Sequence, residues 1–466
     1  MAFPENLRIM HEYKARVLDA KSTSFCGAKW FHSSIWLWNG WTASCHHNPP
    51  HVSNLDEIAQ DLSALHNTAK KKQERAMMQA GERPLDCQFC WVVEDQKSEE
   101  LAHRTWYSQM ATEDELQQVF DAPSDQRVIP KYLELGIDRT CNLACSYCCP
   151  DISSSWSRDI KQNGAYQGLV TDERNHYVDT GKFLYGVREE NPYADAFFKW
   201  WDQELGQHVK ILRITGGEPM MSQHFWRLLD WLHDRPNPTG CTIHLTTNLS
   251  YDAETLQRFL DRIKGSQWSW TIAVSAEGLG DKGEYVRHGL DWAQWTQNMH
   301  TLMHSQLFVS IQLLTTMSAV SIDGLVEFVD WIVTLKQQAR PRLFNLYMSY
   351  VRWPTFQSVL ILPRPLRQMY SDEIAACVER NSKWLTTKEQ DLLTSFVRYL
   401  CSVEQPHRGA YITMEPLTFD DQQKEFNSND LEKDFRRFFT QYDQRRGLDF
   451  VTTFPRLKEW YESIQI

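Results

Sequence analysis

From Lys131 to about Pro363, short apolar runs alternate with longer amphipathic stretches, a rhythm that predicts parallel strands joined by crossover helices. The expected strands are YLELGID (132–138), KILRIT (210–215), TIHLTT (242–247), WTIAVSA (270–276), FVSIQLLT (308–315) and FNLYMSY (344–350). Helical segments are expected between them, at 222–233, 253–264, 291–304 and 322–336. Six β/α units fall short of the eight that close a barrel, so the expected fold class is α/β, a partial (β/α)6 TIM-like barrel. The interval between the first two strands is unusually long. Residues 151–205 carry polar, Ser- and Tyr-bearing sequence and then a Trp/Phe-rich helix around Phe197 to Trp201. An insertion of that size on this side of a barrel usually covers an active site.

The flanking regions read differently. Residues 1–128 form a small N-terminal cysteine-rich domain, with short apolar segments between Trp30 and Trp41 and a polar helical stretch from about Leu55 to Gln79. DAPSDQRVIP, ending at Pro130, reads as a linker, which gives the barrel residues 129–363. Residues 364–466 are expected to be a helical C-terminal extension, with segments near 366–381, 387–403 and 430–445.

Composition narrows the function. No run of 18 apolar residues occurs, and MAFPENLRIMHEYKAR lacks the plan of a signal peptide, so a soluble, cytoplasmic protein with no membrane partner is expected. The net charge of −11 repels polyanions, which makes nucleic acid an unlikely partner. Lys70, Lys71 and Lys72 form the one tight basic run and read as a solvated helix face. The eleven cysteines fit no disulfide scheme in a reducing compartment; eight of them cluster as two sets, and clustered intracellular cysteines usually bind metal.

In LELGIDRTCNLACSYCCP, Cys141, Cys145 and Cys148 are spaced C-x3-C-x2-C just beyond the end of the first strand. Thiolates suit iron–sulfur clusters, and three of them on a four-iron cluster leave one iron open. Zinc, with Cys149 as fourth ligand, is the competing reading of the loop alone. The loop resembles the motif of the radical S-adenosylmethionine (SAM) superfamily, including the aromatic Tyr147 before the third cysteine. That resemblance implies a 4Fe–4S cluster on Cys141, Cys145 and Cys148 that binds SAM and cleaves it reductively, so that a hydrogen atom is abstracted from the substrate. RITGGEP (213–219) looks like the superfamily's GGE motif, which implies that Gly216, Gly217 and Glu218, followed by Pro219, receive the SAM amino group. HLTTNLS (244–250) resembles the TNG strand end, with Leu249 in place of glycine; Asn248 would contact SAM or substrate or cap a turn. VSAEG (274–278) is similar to the element in which Ser275 and Glu277 hold SAM, and Arg287 stands where many relatives pair an arginine with the SAM carboxylate.

The upstream set, Cys26, Cys45, Cys87 and Cys90, could complete a four-thiolate zinc or 4Fe–4S site. Its spacing, an Asn39-Gly40 hairpin and GERP before the final pair resemble the SPASM/twitch auxiliary-cluster domains, which implies a second 4Fe–4S cluster. The sequence departs from that pattern at His46, where many relatives have cysteine, and in placing the module before the SAM domain. The resemblance implies a radical SAM enzyme acting on a peptide or small metabolite, with an external flavodoxin- or ferredoxin-like reductant. Modification of a nucleotide or tRNA base, and a non-catalytic zinc-stapled scaffold, are the alternatives.

Overall fold

The computed structural model describes residues 5–95, 101–171, 176–178, 185, 190–339, 343–402 and 428–466. Among the described residues there are eleven strands: β1 (His32–Trp36), β2 (Trp41–Ala43), β3 (His51–Val52), β4 (Tyr132–Gly136), β5 (Ala144–Cys145), β6 (Ile211–Thr215), β7 (Thr242–Thr247), β8 (Ser269–Ser275), β9 (Arg287–His288), β10 (Phe308–Met317) and β11 (Phe344–Tyr350). Nine of them make one sheet in the order β11-β10-β8-β7-β6-β4-β1-β2-β3. The six strands expected from the sequence are β4, β6, β7, β8, β10 and β11, and they pair in parallel throughout. They form the (β/α)6 partial barrel.

Alternation along these strands explains their two faces. In β7, Ile243, Leu245 and Thr247 are buried, while Thr242, His244 and Thr246 are half-buried on the other face. Register places Glu134, Arg213 and His244 side by side on that second, inner face. A crossover helix supplies the cover: Ala253–Ile263 buries Leu256, Phe259, Leu260 and Ile263, the 3–4 spacing of one helical stripe, and Asp252 caps it through Thr255 N–H.

The first three strands extend the same sheet. β1 runs parallel to β4, with His32 opposite Tyr132 and Trp36 opposite Gly136, and β2 and β3 follow antiparallel. The hairpin between β1 and β2 turns at Gly40, whose φ of +72° suits glycine.

Two expectations for this region need correction. The stretch 55–79 is not one helix but Leu55–Gln60, a 3₁₀ turn Leu62–Leu65 and Ala69–Gln79, because Asn54, Asp61 and Thr68 each accept a backbone N–H and start a new element. Nor is the lysine run a uniformly solvated face. Lys71 is fully buried and donates to Ser33 Oγ and Thr42 Oγ1, while Lys70 pairs with Asp86 at 2.5 Å. The buried face of this helix consists of Lys71, Glu74, Arg75 and Met78, so the charges point inward at helical spacing.

The aromatic helix of the insertion, Pro192–Gln203, buries Phe197, Trp200 and Trp201 in the main core. Most of 172–189 lies outside the described residues, as does 403 at the end of the second expected C-terminal segment. The C-terminal helices are Arg364–Arg380, Thr387–Ser402 and Ser428–Arg446. Tyr350 of β11 stacks on Phe396 and Tyr399 of the second of these. Among the described residues no helix is long and apolar enough to cross a membrane.

Candidate functional site

Beyond β4 the chain turns into the cysteine loop, and Asp138 sets its path by accepting from the backbone N–H and hydroxyl of Thr140. The turn after β6 then locks onto that loop. Gly217 N–H donates to Asp138 O at 2.8 Å, and Glu218 N–H donates to Thr140 O at 2.7 Å. A Cβ on Gly216 would stand 2.2 Å from Asp138 O, and one on Gly217 would stand 2.5 Å from Thr140 O. Both glycines are therefore required by backbone-to-backbone contact between the two loops. This is a reason for the Gly-Gly pair that the sequence did not reveal.

The loop is held from every side by groups that bind its backbone. Ser154 and Ser155 donate to Cys141 O, Trp156 Nε1 to Cys145 O, and Gln357 Nε2 and Tyr177 Oη to Ser146 O. Tyr442, on the helix Ser428–Arg446, donates to Ala144 O. Cys145 lies in β5, paired with Arg287 in β9. Burial raises all three thiols, Cys145 to about 12; neighbouring thiols add to the rise at Cys145 and Cys148, and Glu218 adds to it at Cys141. Cys141 Sγ accepts from Leu143 N–H at 3.5 Å and faces Asn248 Nδ2 at 3.8 Å; Cys145 Sγ accepts from Arg287 at 3.5 Å.

Glu218 is 1% exposed, and burial lifts its carboxyl to about 7. Oε1 accepts from Met220 N–H and Thr247 Oγ1, and Oε2 accepts from Asn248 N–H at 2.7 Å. Three of about four acceptor sites are thus used, leaving one for an outside donor. Pro219 is buried and opens the 3₁₀ turn after it. Leu249, in the position of the usual glycine, adopts φ 56° with its side chain fully buried, so the left-handed backbone is kept without glycine.

Across the loop, Arg287 and Glu277 form a two-bond ion pair (2.6 and 2.7 Å), and Tyr147 Oη donates to Glu277 and accepts from Arg287. Arg287 is 6% exposed and Glu277 1%. The arginine is therefore satisfied inside the protein rather than displayed alone. Ser275 ends β8, half-buried beside this network.

The upstream set also converges. Cys26, Cys45, Cys87 and Cys90 line one cavity. Burial pushes Cys26 to about 11 and Cys45 to about 12, and Cys87 and Cys90 are raised as well. Sequence reasoning missed Lys29, which lines the same cavity at 2% exposure and pairs with Glu74 at 2.5 Å. Burial disfavours its charge, but Cys87 and Glu74 outweigh burial and hold the ammonium above its ordinary value. A cation three residues after a cysteine was the one available signal.

Ligand spacing separates the candidate metals. A tetrahedral zinc with bonds of about 2.3 Å brings thiolates to about 3.8 Å from one another. Among the described residues only His46, His47 and His103 bring three ligand atoms within 4.8 Å of one another, so neither thiol set is gathered for a single ion. A cation stands beside each set, Arg287 at Cys145 and Lys29 in the upstream cavity.

No protein-family model matches the chain, and no curated protein matches it in sequence. Solved structures similar to it include native anSMEcpe with bound AdoMet (14% identity, TM-score 0.34, covering 53% of this chain). The match spans 58% of the anSMEcpe chain. Streptococcus suis SuiB bound to S-adenosylmethionine matches at 11% identity and TM-score 0.37, over 75% of this chain and 69% of that one. SuiB bound to precursor peptide SuiA matches at 11% and 0.34, over 76% and 70%. Likenesses this distant carry nothing about individual residues.

Proposed function

We propose that the chain is a radical SAM enzyme in which Cys141, Cys145 and Cys148 hold a 4Fe–4S cluster that binds SAM. The observation that carries this reading is the interlock of the cysteine loop with the Gly216-Gly217-Glu218 turn at the C-terminal edge of a parallel sheet. Three thiols and a buried carboxylate with one acceptor site to spare meet there, where β/α folds place their ligands. When bound, the cluster and SAM supply one-electron cleavage of a sulfonium and abstraction of a hydrogen atom from substrate.

The protein's own groups have definable parts in this. Arg287 and Asn248 place donors on Cys145 and Cys141 sulfurs, which favours the thiolate forms that ligate iron. Glu218 accepts from the SAM ammonium, and Gly216, Gly217 and Pro219 fix its approach. Ser275, Glu277, Arg287 and Tyr147 form the opposite wall. Because Glu277 already neutralises Arg287, a SAM carboxylate there would share the guanidinium rather than claim it alone. Cys26, Cys45, Cys87 and Cys90, with Lys29 as countercharge, hold a second 4Fe–4S cluster that acts as relay or staple. Residues 1–128, 129–363 and 364–466 are the corresponding cluster domain, barrel and helical extension.

The substrate is a peptide or small metabolite. The half-buried row Glu134, Arg213 and His244 on the inner sheet face supports a polar substrate over an apolar one. A flavodoxin- or ferredoxin-like protein supplies the electron, and the reaction is cytoplasmic. The test is release of 5′-deoxyadenosine by anaerobically reconstituted, reduced protein given SAM. Iron should reach about eight per chain and fall to about four when Cys141, Cys145 and Cys148 become Ala. Equal 5′-deoxyadenosine from parent and triple variant would overturn the reading.

A further inference from the structure

In the wall of the four-cysteine cavity, where His47, Phe89, His103 and Tyr107 line the same space as the thiols, stands a cluster that none of the chemistry above uses. His46 and His47 follow Cys45 directly, and His103 opens the helix His103–Ser108. His47 Nε2 lies 2.8 Å from His103 Nδ1, and one ligand nitrogen from each of the three rings falls within 4.8 Å of the others. The rings are held in place. His47 stacks on Phe89 at 3.7 Å and 6°, and Phe89 meets His103 edge-on at 5.1 Å. Tyr107, one turn after His103 on the same helix face, brings its hydroxyl to 2.9 Å from His46 Nδ1.

We propose that His46, His47 and His103 form a three-imidazole site for one divalent transition-metal ion, whose ligands are drawn from neither cysteine set although it borders the upstream cavity. Metal–nitrogen bonds of about 2.1 Å put tetrahedral ligands about 3.4 Å apart; His47 and His103 already stand 2.8 Å apart, and all three ligand nitrogens lie within 4.8 Å of one another. Small ring movements therefore complete the site. An all-imidazole set suits zinc, cobalt, nickel or copper and is poor for magnesium or calcium, which prefer oxygen. Three protein ligands leave the fourth position open, and Tyr107 stands ready to orient His46 or to occupy that position.

Titration of the tag-free full-length chain with Co(II) tests this, because nitrogen-ligated cobalt shows weak ligand-field bands without the intense sulfur-to-cobalt charge transfer of thiolate sites. One equivalent with the nitrogen-type spectrum is expected, displaced by Zn(II) and not by Mg(II). His46→Ala, at an exposed position, and His103→Ala should each weaken binding at least tenfold, while iron and sulfide content and far-UV circular dichroism stay unchanged. Absence of the nitrogen-type spectrum would overturn the site. So would a sulfur-type spectrum that Cys45→Ser abolishes, or loss of iron in His46→Ala, since the imidazoles would then serve the cysteine cavity.

Discussion

Lys29 and Glu74 give the sharpest energetic test of how the N-terminal module is built. The pair joins the short helix Ala28–Phe31 to the helix Ala69–Gln79, with both side chains almost out of water (2% and 9% exposed) and Nζ 2.5 Å from Oε2. Lys29→Met keeps the length of the stem and removes the charge, leaving Glu74 buried beside Cys87. Breaking a buried pair from one side costs about 3–5 kcal/mol, whereas replacing both partners by apolar groups is often neutral. With a urea slope of about 3 kcal/mol/M or more, Lys29→Met should lower the midpoint by on the order of 1 M, measured on apoprotein at constant slope. Lys29→Met/Glu74→Met should recover most of that loss. An unpaired buried carboxylate is relieved by a proton, so the single variant's deficit should shrink as pH falls. The double variant carries a second expectation: the four-thiolate cavity loses the cation that compensates its charge, so after reconstitution it should retain less iron although it folds. The reasoning fails if Lys29→Met lies within about 1 kcal/mol of the parent, or if the double variant is as unstable as the single one.

Three further outcomes follow from the loop contacts. Glu218, lifted from 4.5 to about 7 by burial, binds a proton in the folded chain that the unfolded chain has already released, so stability should fall as pH rises from 4.5 to 7 and then level off; Glu218→Gln should flatten that slope in urea titrations of apoprotein. Gly217→Ala drives a methyl into Thr140 O and Arg139 O, both backbone atoms, and should cost at least about 2 kcal/mol and halve reconstituted iron, with the loss confined to the three-cysteine site. Tyr442→Phe removes the one O–H shared between Ala144 O and Tyr285 O; the loss of that single hydrogen bond should cost about 1 kcal/mol and speed iron loss to a chelator, and unchanged loss kinetics would refute the bracing role.

The barrel was legible because its strands are apolar runs of the right length, and no tertiary contact was needed to predict them. The cysteine loop was legible because its chemistry lies in one short segment. What escaped the sequence lies in contacts between distant segments. Tyr442 and Gln357 reach the cysteine loop from about 300 and 210 residues away, and no local pattern announces them. Lys71 misled because a lysine run reads as surface unless its partners are known, and those partners, Ser33 and Thr42, sit on strands of another segment. The Gly216-Gly217 pair was singled out for a ligand, and the contact visible in the structure is with the neighbouring loop's carbonyls rather than with open space.

That contact bears on how the two cysteine sets relate. β1 pairs residue for residue with β4, from His32 opposite Tyr132 to Trp36 opposite Gly136, and Cys141 follows β4 by five residues while Cys26 precedes β1 by six. The strands that carry the two sets are thus neighbours in one ladder, and a register slip would turn every side chain of β1 to the wrong face. From the upstream cavity, Tyr107 packs on His32 at 5.3 Å and His32 on Tyr132 at 4.4 Å, so the cavity backs onto the inner face of the first barrel strand. A module fixed this way cannot swing between partners as a tethered carrier would. Whatever the upstream thiols hold stays at a constant position against the barrel, which suits a relay or a staple.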